Sequence, residues 1–166
     1  MLQEIFTVTF LTSVLAAAIR LATPILAAAL GEIYTQRAGI MNLGLEGAML
    51  MGALGGFLGA FFSGSLFVGV LAGILAGVAM NAIMAFLSVT MCANQVIAGT
   101  ALSMLGGGLA PFIYRAVFGI QKLPPQVENF QMLPIPFLSD IPVLGPVFFQ
   151  HNLLVYVIFL LVPVTW

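Results

Sequence analysis

Apolar residues come in blocks long enough to cross a bilayer, separated by short polar punctuation rather than alternating with polar positions. The first block runs from Ile5 to Leu30, between Glu4 and Glu32, and is interrupted only by Arg20. Residues 47–114 then carry no charge at all. A membrane helix needs about 20 apolar residues, so this uncharged run has room for about three crossings. It divides where small polar residues cluster as turn signals, at Ser63-Gly64-Ser65 and at Cys92-Ala93-Asn94-Gln95. The piece from Gly47 to Phe62 is too short to cross alone. The pattern therefore predicts a second helix over Gly39 to Phe62, with Asn42 and Glu46 inside the membrane. A third is expected over Leu66 to Met91 and a fourth over Val96 to Phe118, kinked or broken at Pro111.

From Gly119 to Pro146 the character changes. Pro124, Pro125, Pro134, Pro136, Pro142 and Pro146 fall here together with Lys122, Glu128 and Asp140, which predicts an aqueous loop with a short surface helix. Phe148 to Trp166 is apolar again and starts a fifth segment. It meets no polar flank, so the chain is expected to be cut short at its C-terminal end. The expected fold is all-α, a polytopic transmembrane bundle of about five helices with the second one broken. The continuous Leu, Ala, Gly, Val, Ile and Met blocks are unlike the short alternating segments of a membrane β-barrel.

Composition agrees with a membrane class: 62% of residues are hydrophobic and 5% charged, against about 25% charged in soluble domains. A net charge of −1 with four scattered basic residues excludes a nucleic-acid-binding surface. Cys92 is the only cysteine, which leaves no intramolecular disulfide or cysteine-based metal site. With no Lys or Arg before Arg20, the N-terminus lacks the basic start of a signal peptide, and its first segment reads as a retained helix. No Ser/His, paired Asp or HExxH arrangement suggests catalysis. Neither a cofactor nor a metal is expected.

Among the small residues, Gly52 and Gly56 on the second segment and Gly69, Gly73 and Gly77 on the third repeat the spacing that lets helix backbones approach closely. They predict packing within the bundle, or else a subunit interface. The most informative stretch is Asn42-Leu43-Gly44-Leu45-Glu46-Gly47, an acidic residue between glycines inside an apolar segment. A carboxylate at that depth needs a cavity or a partner. Three readings stand: a translocation path or gate, a structural ion pair, and an interfacial position. Arg20 is about one helical turn from Glu46 in depth, which makes the two ion-pair candidates. Arg37 competes for Glu46. Asn94 and Gln95 open the fourth segment, either as caps or as part of the path. Asn81 reads as an interhelical hydrogen-bonding residue and His151 as an interfacial one.

The stretches Gln36-Arg37-Ala38-Gly39-Ile40-Met41-Asn42-Leu43-Gly44-Leu45-Glu46-Gly47 and Asn94-Gln95-Val96-Ile97-Ala98-Gly99-Thr100-Ala101-Leu102 resemble permease subunits of ABC importers for ribose-type sugars, branched-chain amino acids and nucleosides, most closely the nucleoside branch. Gln36 stands where that family usually has an acidic residue and Ser103 where asparagine is common. The resemblance implies that residues 1–166 are the N-terminal part of a single transmembrane permease domain in the cell membrane. It also implies a second permease subunit in a homo- or heterodimer, cytoplasmic ABC ATPase subunits and an extracytoplasmic substrate-binding protein, with membrane lipid around the permease. On the same footing Gly119 to Pro146 is extracytoplasmic, and Asn42, Glu46, Asn94 and Gln95 are candidates for the translocation path or its gate. A secondary transporter or channel subunit is the rival.

Overall fold

The structure, a computed structural model, describes residues 8–120, 125–134 and 144–165. Glu4, Lys122, Pro124, Pro136, Asp140, Pro142 and Trp166 lie outside the described residues. The elements are α1 (Val8–Arg37), α2 (Leu45–Ser63), α3 (Leu66–Ala85), α4 (Gln95–Phe118), β1 (Met132–Pro134), α5 (Leu144–Phe148), β2 (Gln150–Asn152) and α6 (Leu153–Val164). A π-turn, Phe86–Thr90, continues α3. Among the described residues four stretches are long and apolar enough to cross a membrane: Phe10–Arg37, Leu45–Ser63, Leu66–Thr90 and Gln95–Phe118. Residues such as Leu21, Phe67 and Met104 stand largely exposed on these helices, as expected where lipid is the solvent.

The chain divides into two compact units, residues 32–129 on one hand and residues 1–31 with 130–166 on the other. In the first unit α2 and α3 form an antiparallel hairpin. It turns at Gly64, whose φ of +65° favours glycine and whose N–H donates to the Ala60 carbonyl at 2.9 Å. The helices then pack backbone to backbone: a Cβ on Gly69 would lie 2.9 Å from the Gly56 carbonyl oxygen, and one on Gly73 would lie 3.0 Å from that of Gly52. Gly77 has open space at the same position. α4 returns parallel to α2. At their C-terminal ends Phe57 and Phe61 meet Phe118 edge-on, with ring centroids 5.7 and 4.9 Å apart, geometries that aromatic pairs prefer. Ala48, Met80, Met84, Ala98 and Leu102 form the buried cluster toward the other end.

One sequence expectation changes here, and of two alternatives at Pro111 one is removed. The second helix begins at Leu45 rather than at Gly39. Gly39 takes a φ of +79°, and the Asn42 side chain captures the Gly44 N–H at 3.0 Å, so residues 38–44 form a turn stabilised by a local side-chain bond that competes with helix. Pro111 sits inside α4 without breaking it. Its ring removes a single backbone hydrogen bond, and a membrane helix held by its neighbours tolerates that loss.

In the second unit β1 and β2 pair antiparallel, with Leu133 opposite His151. His151, expected at an interface, is 1% exposed, and its Nε2 lies 2.7 Å from the Val147 carbonyl. Its backbone N–H donates to the Tyr156 hydroxyl, which in turn donates to the Leu133 carbonyl, each at 3.1 Å. Because Gln150–Asn152 are taken up in this pairing, the apolar helix starts at Leu153 rather than at Phe148. At the end of the loop lies the short α5, with Gly145 and Val147 buried, so it is not the surface helix expected within the loop.

Candidate functional site

α2 and α4 start at the same end of the first unit, and there the two motif stretches meet. The irregular backbone of residues 38–44 offers N–H and C=O groups that no helix satisfies, and unsatisfied groups of this kind are costly in a membrane. Side chains from two helices supply the partners. From α1, Glu32 accepts from the Asn42 N–H at 3.1 Å and from the Thr35 hydroxyl at 2.7 Å. From α4, Gln95 accepts from the Met41 N–H at 2.8 Å while its amide donates to the Gly39 carbonyl at 3.4 Å. Ser103, also on α4, donates to the Leu43 carbonyl at 2.8 Å.

The buried Asn42 turns its Oδ1 to the Gly44 N–H and donates from Nδ2 to Asn81 Oδ1 on α3 at 2.7 Å. Asn81 in turn donates to the Gly77 carbonyl at 3.0 Å. The turn can sit this close to α4 because of glycine. A Cβ on Gly99 would lie 2.8 Å from that of Leu43, and a Cβ on Gly47 would lie 3.0 Å from the Leu102 carbonyl carbon.

Asn42 and Gln95 therefore share one polar cluster. Asn94 is the N-cap of α4, accepting from the Val96 and Ile97 N–H groups at 3.0 and 3.3 Å. The chain reaches it through the π-turn and through Cys92 at a φ of +50°. Glu46 is exposed in the first turn of α2. Arg20 lies on α1 in the other unit, where it lines a cavity. Glu32 and Ser103 were not singled out as site residues from sequence. A carboxylate four residues before a motif and a hydroxyl within an apolar helix carry no signal of what they bond. Among the described residues no group of three His, Cys, Asp or Glu side chains is arranged to hold a metal ion.

The Asn42 to Asn81 bond invites a double-mutant cycle. Asn42→Ala also frees the Gly44 N–H and is expected to cost about 1–3 kcal/mol, whereas Asn81→Ala should cost about 1 kcal/mol. Unfolding of the purified protein by a denaturing detergent should show the two losses summing to more than the double variant loses, which is the signature of a shared bond. Strict additivity would show that the two side chains do not interact.

An apolar bundle of span-length helices around a turn satisfied by side chains of neighbouring helices defines a multi-pass membrane protein. The family model for the branched-chain amino acid transport system / permease component matches residues 14–166, and the chain belongs to that family. It is similar to a putative glucose ABC transporter permease protein of Haloferax volcanii, 38% identical over 95% of this chain and 47% of that one. It is also similar to a guanosine ABC transporter permease protein of Bacillus subtilis, 34% identical over 86% of this chain and 47% of that one. A nucleoside ABC transporter permease protein of Lactococcus lactis is 29% identical over 78% of this chain and 43% of its own. The chain thus spans about half the length of the curated relatives it matches. No solved structure matches it.

Proposed function

We propose that this chain forms the transmembrane permease subunit of an ATP-driven importer of nucleosides or ribose-like sugars. The observation that carries the reading is its similarity, over most of its length, to permeases named for guanosine, nucleosides and glucose. In this reading the permease works as a homo- or heterodimer, ATP is hydrolysed on separate cytoplasmic ABC subunits, and an extracytoplasmic binding protein delivers the substrate. Gly119 to Pro146 faces the extracytoplasmic side. Asn42, Glu46, Asn94 and Gln95 lie at or beside the path, with the turn at residues 38–44 as its movable part.

Uptake into vesicles carrying the complete transporter tests the reading. Radiolabelled nucleoside should accumulate only with ATP on the side of the ATPase subunits. Accumulation that follows an ion gradient instead would establish a secondary transporter. Binding of labelled nucleosides and sugars to the partner binding protein decides the substrate class.

A further inference from the structure

The last turn of α3 holds one residue more than an α-helix has room for. A helical N–H ordinarily reaches back four residues, but the Met91 N–H donates to the Phe86 carbonyl, five residues back, at 3.1 Å. The closing bond is stretched in the same way. Where a helix ends in a left-handed residue, the N–H after that residue ordinarily reaches back five. Here Cys92 is the left-handed residue, with a φ of +50°, and the Ala93 N–H donates to the Leu87 carbonyl, six residues back, at 3.0 Å. Just before this turn Met84, 2% exposed in the buried cluster, anchors the helix. The surplus residue is thereby confined to residues 86–93.

Two groups bear its cost. The left-handed region disfavours any residue with a Cβ, and Cys92 occupies it. Hydroxyls elsewhere in these helices donate to the carbonyl four residues back, as Thr23 does to Ile19, Ser63 to Gly59 and Thr100 to Val96. The Ser88 hydroxyl is buried inside the surplus turn and has no hydrogen-bond partner among the described residues. In an α-helical register the Met84 carbonyl stands at that spacing from it. What the observed register provides lies across the connector of residues 91–94, where Asn94 caps α4 and Gln95 accepts from the Met41 N–H at 2.8 Å. One residue added to that connector gives it about 3.5 Å of slack, enough to part such a bond.

We infer that the end of α3 is a two-register switch for the turn at residues 38–44. In the register seen, the surplus residue sits in the π-turn and Gln95 holds the turn. In the other, Ser88 donates to the Met84 carbonyl, the surplus passes into the connector, and Gln95 lets the turn go. The exchange itself depends on residues 84–95 alone; that it serves to open a substrate path rests on the permease reading.

Two substitutions favour the register seen without touching the turn. S88A removes both the unpartnered hydroxyl and the bond that the other register gains, and C92G relieves the left-handed residue. Amide hydrogen exchange of the purified permease in lipid nanodiscs, followed on peptides covering residues 38–44, tests the switch directly, because exchange of a protected amide tracks the open population. Each variant should slow that exchange at least about fivefold. ATP-driven uptake by the complete transporter should fall by a similar factor at unchanged permease level, and threonine in place of the alanine at Ser88 should recover both readings. Wild-type exchange at residues 38–44 in either variant would overturn the inference, and so would slowed exchange with undiminished uptake. A wild-type transporter without ATP-driven uptake defeats the permease reading instead, and the exchange rates then decide the switch by themselves.

Discussion

Valine at Gly106 is expected to abolish uptake and to strip most of the folded permease from the membrane. A Cβ at this position would overlap the backbone of Gly47 on α2, and backbone cannot rotate aside as a side chain can. Overpacking of a tight core typically costs about 1–3 kcal/mol, occasionally more. Here the damage spreads. Separating α4 from α2 also withdraws Ser103 from the Leu43 carbonyl and Gln95 from the Met41 N–H, leaving turn groups unpaired in a membrane. Gly107→Ala and Gly108→Ala are the controls, since both positions have open space. Their stability should stay within about 0.5 kcal/mol of wild type. Immunoblots of membranes, thermal unfolding in detergent and uptake read the series. Wild-type levels and uptake for Gly106→Val would mean that α2 and α4 do not approach as the structure has them.

Block length made the helices legible, because a bilayer demands apolar runs of one size and this chain supplies them. Leu66 to Met91 and Val96 to Phe118 fall within a residue of the observed spans, Leu66–Thr90 and Gln95–Phe118. What block length cannot provide is a face. These helices are apolar all round, so no periodicity separates the side of α4 that meets Gly47 from the side that meets lipid. The start of α2 was misread for a related reason. Gly39 to Gly44 is apolar enough to extend a helix, and what stops it is a set of bonds to Glu32, Asn81, Gln95 and Ser103. The last three lie 39 to 60 residues away from their partners in the chain. Such long-range side-chain bonds leave no local trace. The β1–β2 pairing was hidden likewise: three residues per strand, one a proline, give no alternation to detect.

Glu46→Gln should reduce uptake by at least about tenfold, equivalent to roughly 1.4 kcal/mol, while leaving the amount of permease in the membrane unchanged. Glu46 is exposed in the first turn of α2, next to the polar turn but outside the hydrogen bonds that hold it. The carboxylate that does hold the turn is Glu32. The positive end of the helix dipole favours a carboxylate at Glu46 by about 0.3–1 kcal/mol, and glutamine keeps the shape, so folding loses little. A large loss of uptake at constant protein level would then report a charge needed during transport, on a face that the assembled importer covers or opens. Glu128→Gln removes an exposed loop carboxylate and should change uptake by less than about twofold, or roughly 0.4 kcal/mol. Vesicle uptake at matched permease levels compares the two variants. Equal uptake by both would show that Glu46 is an ordinary surface charge, and would leave Asn42 and Gln95 as the residues at which the turn meets the path.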